Sequence, residues 1–120
     1  RHILDTFAAS NFHVQEIYAC GGGTKSQLWL KIHADVSGVP IYLTKVGEAS
    51  TLGTAVCAAV AAGAYRDVEE AAGKMVTITD RIEPDPEAHA AYEFFYRQYV
   101  AGYPRMKELM HELVHHVEGA

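Results

Sequence analysis

Helical and strand-like spacings of apolar residues alternate along the first half of the chain. Residues 1–10 carry apolar side chains at helical spacing, although no Ser, Asp or Asn precedes them as a cap. Residues 13–20 form a short apolar stretch that predicts a strand, which ends at three consecutive glycines. Residues 24–38 predict a second helix and residues 40–44 a second buried strand. This alternation predicts parallel strands joined by right-handed crossover helices, and therefore an α/β fold.

The second of these helices has a predicted start, end and buried face. Thr24 can cap its first turn, and Gly38 can end it in the left-handed conformation that glycine favours. Four apolar side chains at spacings of one, three and four predict one buried face. They are Leu28, Trp29, Ile32 and Val36.

The next part of the chain is predicted to hold two more helices and a loop. A helix rich in small residues runs from about residue 50 to Gly63, and residues 67–75 form a further amphipathic helix. Gly53 lies in the first turn of the former, where glycine costs about 1 kcal/mol relative to alanine, so a close neighbour or a ligand is expected there. Residues 77–86 contain two prolines and are predicted to be a loop.

The last predicted element is a long helix that begins near Pro86. Aromatic residues and a methionine follow one another along it at helical spacing, and the expected role of this stripe is packing. Gly102 and Pro104 interrupt the pattern and are expected to break or kink the helix. The stripe consists of Tyr92, Phe95, Tyr96, Tyr99, Tyr103 and Met106.

Composition narrows the class of protein. A chain of 120 residues with 49% hydrophobic residues fits a single domain, but two predicted strands are few for a stable sheet, so further strands are expected upstream of Arg1. A net charge of −5 argues against nucleic acid or an anionic membrane as partner. Cys20 and Cys57 each lie in an apolar run and are expected to be reduced core residues. Because no apolar segment approaches about 20 residues, the cytoplasm is the expected location.

The three glycines that end the first predicted strand form the main candidate site. Glycines at a junction between a strand and a helix allow the backbone to approach a ligand, and the helix start offers N–H groups and a positive dipole end to a phosphate. Gly21, Gly22 and Gly23 match neither the dinucleotide-binding spacing nor the P-loop. Taken by itself, the run is equally consistent with a tight turn that has no ligand.

A series of motifs resembles the C-terminal domain of the FGGY carbohydrate kinases. The motifs are residues 19–26, Trp29, residues 34–40 and residues 48–55, and the resemblance covers nearly the whole chain. It implies the C-terminal part of an actin-like, ribonuclease-H-like ATPase domain with parallel strands, crossover helices and a long C-terminal helix.

The resemblance also implies a division within one unit of 120 residues. Residues 1–80 correspond to the α/β part on the nucleotide side of the cleft, and residues 81–120 to a C-terminal helical extension. The upstream kinase domains are then missing partners, and self-association of the exposed chain is expected.

The implied cofactors are ATP and Mg²⁺. By the resemblance, Gly22 and Gly23 bring their backbone to the nucleotide, Thr24 begins the helix that faces the phosphates, and Ser26 and Gln27 lie beside the adenine. The family's catalytic aspartate and phosphate loops lie N-terminal to this segment, so no catalytic residue is assigned here and the isolated chain is expected to be inactive. Asp35 lies in a family motif and is expected to support the fold as a cap or in an ion pair.

The same resemblance implies a sugar substrate for the parent protein. Residues 18–22 are similar to those of ribulokinases, whereas residues 21–26 together with Trp29 are similar to those of xylulokinases. A pentulose such as ribulose or xylulose suits both.

Two other functions compete with the kinase. His111, Glu112 and His115 match the H-E-x-x-H pattern of zinc peptidases, which places both imidazoles on one helical face. Such a site needs a third protein ligand, and adventitious zinc or nickel binding by the two histidines is the simpler expectation. A non-catalytic α/β module that binds a partner through an exposed helix is the third hypothesis.

Overall fold

The chain folds as a layered α/β structure in a computed structural model that describes residues 1–119. A 3-10 turn, Gly22–Lys25, lies between the first strand and the second helix. The helices and strands are, in chain order, α1 (His2–Ala9), β1 (Ile17–Ala19), α2 (Gln27–Ser37), β2 (Ile41–Thr44), α3 (Ala49–Ala61), α4 (Val68–Met75), β3 (Ile78–Ile82) and α5 (Pro86–Glu118).

The three strands form a mixed sheet in the order β1, β2, β3. β1 and β2 are parallel, with Ile17 opposite Ile41, and β2 and β3 are antiparallel, with Ile41 also opposite Ile82. The α/β class, the parallel pair of predicted strands and the crossover helix are therefore confirmed, and β3 adds an antiparallel strand that the sequence did not predict. The predicted loop over 77–86 is also wrong in its first half, where Ile78–Ile82 form β3. The two prolines that indicated a loop come after Ile82 and so do not interrupt this strand.

The core lies between α2 and the sheet. Leu30 and Ala34 are completely buried, and Ile41 packs against them. The predicted buried face of α2 is wrong: Leu28, Trp29 and Ile32 are exposed, Leu28 by 71%. Leu30 and Ala34 are four residues apart and are the pair that the helix presents to the sheet, whereas Trp29, Ile32 and Val36 point into an open groove beside α1.

The helices after β2 follow the prediction in part. α4 begins where Asp67 predicts, because the Asp67 carboxylate accepts a hydrogen bond from the N–H of Glu70, and this bond lowers the pKa of Asp67. Gly53 has no close neighbour, since no atom of the described chain lies within 4 Å of the position of a Cβ there. Cys20 and Cys57 are both exposed with free thiols, so their placement in the core is wrong.

Asp35 joins α2 to the start of α5. Asp35 is 6% exposed, and its Oδ1 accepts hydrogen bonds from Lys31 Nζ and from the N–H of Asp85, each at 2.7 Å. Burial opposes ionisation, but these two hydrogen bonds outweigh it and lower the pKa of Asp35. The backbone carbonyl of Asp35 also lies 2.7 Å from His89 Nδ1 on α5. The expected structural role of Asp35 in an ion pair is confirmed.

The helix α5 runs without a break from Pro86 to Glu118, although Pro104 lies inside it. Pro104 removes one backbone hydrogen bond, which the flanking turns tolerate. Asp85 caps the helix through the N–H groups of Glu87 and Ala88. The predicted break does not occur, and several members of the stripe are exposed within residues 1–119. These are Phe95, Tyr99, Tyr103 and Met106.

Between Arg1 and Gly119, no helix is both long enough and apolar enough to cross a membrane.

Candidate functional site

The glycine turn is held at the carboxyl ends of the two parallel strands. Gly21 has a φ of +82°, a conformation that side chains with a Cβ rarely adopt. Its N–H donates to the carbonyl of Gly47 in the loop after β2 at 2.9 Å. The Thr24 hydroxyl donates to the carbonyl of Gly21 at 2.7 Å, which closes the turn from the other side. Ligands of open α/β sheets bind at this end of parallel strands.

Ser26 caps the helix that follows the turn. Its backbone is extended and its Oγ accepts a hydrogen bond from the N–H of Trp29 at 3.2 Å. The expectation that Thr24 caps α2 is wrong, because a 3-10 turn lies between Thr24 and the helix and the Thr24 hydroxyl bonds back to Gly21. The N–H groups of Gln27 and Leu28 lie in the first turn, at the positive end of the helix, and have no acceptor within it.

Gly22 and Gly23 are constrained differently. No atom lies within 4 Å of a Cβ built on Gly22, so the space over its backbone is open. A Cβ on Gly23 would lie 3.3 Å from the ring of Trp29, which in turn packs on His33 with ring centroids 3.7 Å apart. Gly22 therefore leaves room for a ligand, whereas Gly23 leaves room for Trp29.

An apolar cavity of about 440 Å³ lies beside the same strand ends. Cys20 and Thr44 lie at its β1 and β2 side, and α3 and α4 provide most of its remaining wall, including Gly53. Such a lining suits a flat apolar group or packed side chains and does not suit phosphates. The sequence did not indicate this cavity, because its walls come from four separate segments of the chain.

The predicted nucleotide residues lie close together along the chain, and the structure places them in one continuous turn. Gly22, Gly23 and Thr24 form the 3-10 turn, Ser26 caps α2, and Gln27 is its first residue. Sequence reasoning missed Gly47, which holds the turn from the neighbouring loop. A single glycine between two helix or strand signals is too common a pattern to have marked it.

The histidine pair of the peptidase hypothesis lies far along α5. His111 and His115 are exposed on the polar side of the helix. Within residues 1–119, no group of three His, Cys, Asp or Glu side chains is arranged to hold a metal ion. The pair therefore has no third protein ligand in this part of the chain.

Comparison with known proteins agrees with the fold. Residues 1–62 match the model of the FGGY family of carbohydrate kinases, C-terminal domain. A ribulokinase of Mycolicibacterium smegmatis is 40% identical over 101 residues, which cover 83% of this chain and 18% of the relative. An FGGY carbohydrate kinase domain-containing protein of Xenopus laevis is 33% identical over 108 residues, or 90% of this chain and 20% of the relative.

A further relative and a solved structure are also similar to this chain. An autoinducer-2 kinase of Escherichia coli strain K12 is 40% identical over 84 residues, covering 70% of this chain and 16% of the relative. Among solved structures, a xylulose kinase of Brucella ovis superposes with a TM-score of 0.75 and 28% identity over 89% of this chain and 22% of its own. The chain thus spans about a fifth of the length of the proteins that it matches. Sequence, fold and the order of motifs together show that this chain belongs to the FGGY family of carbohydrate kinases, as part of the C-terminal domain.

Proposed function

We propose that the protein containing this chain is an ATP- and Mg²⁺-dependent kinase of a carbohydrate, and that this chain forms the adenine-nucleotide side of its cleft. The contacts assigned to ATP are the backbone of Gly22 and Gly23, the turn at Thr24, and the side chains of Ser26 and Gln27. Segments outside the 120 residues supply the sugar site and the base that accepts the proton of the sugar hydroxyl.

The open space over Gly22 carries this proposal. Gly22 begins the 3-10 turn that leads into α2, whose first N–H groups are unpaired, and the Gly21 to Gly47 hydrogen bond holds this turn at the carboxyl ends of β1 and β2. A polyphosphate brought to this position receives N–H donors and the positive end of a helix dipole. Mg²⁺ arrives with the phosphates, and no side chain of this chain is assigned to it.

The proposed substrate is a pentulose, with ribulose and xylulose as the first choices. Relatives named as a ribulokinase and as a xylulose kinase support this choice. A relative named as an autoinducer-2 kinase and a neighbour named as a gluconate kinase of Lactobacillus acidophilus widen the panel that must be tested. The cytoplasm is the proposed location, since ATP and phosphorylated sugars are handled there.

The test is a coupled ADP-release assay on the parent protein with Mg-ATP. The panel consists of ribulose, xylulose, ribitol, glycerol, gluconate and autoinducer-2. Turnover with one pentulose supports the proposal and names the substrate. Turnover with autoinducer-2 or gluconate alone would overturn the pentulose assignment, and no turnover with any sugar would overturn the kinase assignment.

A pair of glycine variants tests the nucleotide site within the same assay. Gly22→Ala adds a methyl group to the open space, so we expect the KM for ATP to rise about tenfold, or about 1.4 kcal/mol, with the KM for sugar unchanged. Gly73→Ala in α4 is the matched control, because its Cβ also meets open space and it lies away from the turn. Equal KM values for the two variants would remove Gly22 from the site and leave the kinase assignment standing.

A further inference from the structure

Trp29 reaches back from α2 to the glycine turn. It is the third residue of the helix, and helical side chains lean toward the start of their helix. A Cβ built on Gly23 would lie 3.3 Å from Cζ3, 3.4 Å from Cη2 and 3.6 Å from Cε3 of the indole. These three atoms are consecutive in the six-membered ring, so the ring packs against the backbone of Gly23. A residue with a Cβ would press on the ring at this position.

Trp29 is held at both its backbone and its ring. Its N–H donates to the Oγ of Ser26 at 3.2 Å, which ties it to the residue that ends the turn. Its ring packs on the imidazole of His33 one helical turn further along, with ring centroids 3.7 Å apart and ring planes at 34°. The rest of the indole is exposed in the groove beside α1. The cap and His33 therefore limit the rotamers that the ring can adopt.

The glycine turn needs such support at its middle. Glycine has the largest conformational freedom of all residues, so ordering Gly22 and Gly23 is costly. Hydrogen bonds hold the two ends of the turn: the N–H of Gly21 donates to the loop after β2 at 2.9 Å, and the N–H of Ser26 donates to the carbonyl of Gly23 at 3.3 Å. No atom of residues 1–119 lies within 4 Å of a Cβ position on Gly22. The three atoms nearest to that position on Gly23 all belong to Trp29, so the indole is the side chain that packs on the middle of the turn.

We propose that Trp29 is a positioning residue for ATP: its ring holds Gly22 and Gly23 in the conformation that meets the phosphates. Trp29 acts through Gly23 and not on the nucleotide directly, and this inference rests on the proposed nucleotide site. A turn that is already ordered does not have to be ordered by the ligand, so the ring contributes to affinity through preorganisation. Because this contribution is the same in the ground state and in the transition state, it acts on the KM for ATP and not on kcat.

The first test uses the coupled ADP-release assay on the parent protein with its sugar. Trp29→Ala is expected to raise the KM for ATP about tenfold, with kcat and the KM for sugar within about twofold of wild type. Trp29→Phe keeps an aromatic ring and should bring the KM for ATP back to within about threefold of wild type. Ile32→Ala removes an apolar side chain of α2 from the same groove, so it is the matched control and should keep the wild-type KM. A wild-type KM for Trp29→Ala, a loss confined to kcat, an equal rise in Ile32→Ala, or no recovery with Trp29→Phe would each overturn the proposal.

A double-mutant cycle tests the contact itself. Gly23→Ala places a methyl group against the held ring and is expected to raise the KM for ATP about tenfold. In the Trp29→Ala background the space beside Gly23 is open, so adding Gly23→Ala should change the KM by less than about threefold. Equal fold-changes in the two backgrounds would overturn the proposal. Circular dichroism at 222 nm checks that each variant is folded. If Trp29→Ala does not fold, Trp29→Leu takes its place, because it keeps an apolar side chain on α2 but lacks the ring.

Comparison with Gly22→Ala separates failure of this proposal from failure of the nucleotide site. If Gly22→Ala raises the KM for ATP and Trp29→Ala does not, the nucleotide site stands and the positioning role of Trp29 is wrong. If neither variant raises the KM for ATP, both assignments fail. If both variants raise it and Trp29→Phe recovers the affinity, both assignments are supported.

Discussion

The buried carboxylate of Asp35 is expected to be a major contributor to the stability of this chain. It joins α2 to the connection between β3 and α5, and Lys31, which binds it, also donates to the carbonyl of Glu83 at 3.1 Å. Replacing Asp35 by alanine therefore removes the contact that fixes the start of the long helix, and leaves the N–H of Asp85 without its acceptor.

The expected cost follows from the two hydrogen bonds. A hydrogen bond to a charged group contributes about 1.5–3 kcal/mol. The Lys31 side chain is 44% exposed, which reduces its share to about 1 kcal/mol or less. We expect Asp35→Ala to lower the free energy of unfolding by about 2–3 kcal/mol, and Asp35→Asn, which keeps an acceptor for Asp85, by about 1–2 kcal/mol.

The effect has a defined dependence on pH. The pKa of Asp35 is lower in the folded chain than in the unfolded chain, where it is about 3.9. Ionised Asp35 therefore adds stability above about pH 4, and this stability is lost as the pH falls through the lowered folded value. The difference between wild type and Asp35→Asn should be largest at neutral pH and should shrink below about pH 4.

Urea unfolding is the assay, followed by circular dichroism at 222 nm and by the fluorescence of Trp29 at several pH values. Asp80→Ala is the control, because Asp80 is exposed and its carboxylate bonds only to the neighbouring N–H of Arg81; its cost should stay within about 0.5 kcal/mol. Asp35→Ala and Asp80→Ala of equal stability would refute the reasoning, and so would a wild-type advantage over Asp35→Asn that does not change with pH.

Three further predictions concern the backbone, metal ions and activity. Gly38→Ala should lower the free energy of unfolding by about 1–2 kcal/mol because of the left-handed φ of +72°, and by more because its Cβ would lie 2.9 Å from the His89 ring. Gly63→Ala, at φ +75° with open space around it, should lower it by about 1–2 kcal/mol only. Equal melting temperatures of the two variants would contradict the close approach of His89 to Gly38. Removal of metal ions by EDTA should leave the melting temperature unchanged, and a substantial drop would indicate a metal site at His111 and His115. The isolated 120-residue chain should form no ADP with any sugar of the panel, and measurable sugar-dependent ADP release would contradict the assignment of the catalytic base to another segment.

Much of the local structure could be predicted from the sequence, because local signals determine it. Gly38 ends α2 in the left-handed conformation, and Asp67 caps α4, as their residue types predict. The alternation of helices and strands indicated the α/β class, and the ordered motifs indicated the kinase family that comparison shows. The caps depend on residues a few positions apart, and the class and the family depend on the order of such local signals along the chain.

The errors concern features that depend on distant parts of the chain. The spacing of apolar residues predicted that Leu28 and Ile32 are buried, but only the position of the sheet decided that α2 buries Leu30 and Ala34. Likewise the residues before the prolines form a strand because the free edge of β2 accepts their hydrogen bonds. The partner of a strand edge or of a helix face comes from a distant segment of the chain, and the local sequence pattern holds no information about that segment.

The candidate site divides in the same way. The sequence by itself determined that a glycine turn joins a strand to a helix, because three glycines lie between an apolar stretch and an amphipathic one, and the φ of +82° at Gly21 agrees with this. Only the tertiary structure decided that Gly47 holds this turn, that Gly23 makes room for Trp29, and that Gly22 faces open space. The physical reason is that the residue type alone sets which backbone conformations are allowed, whereas the free space around a residue depends on the neighbours that folding places there.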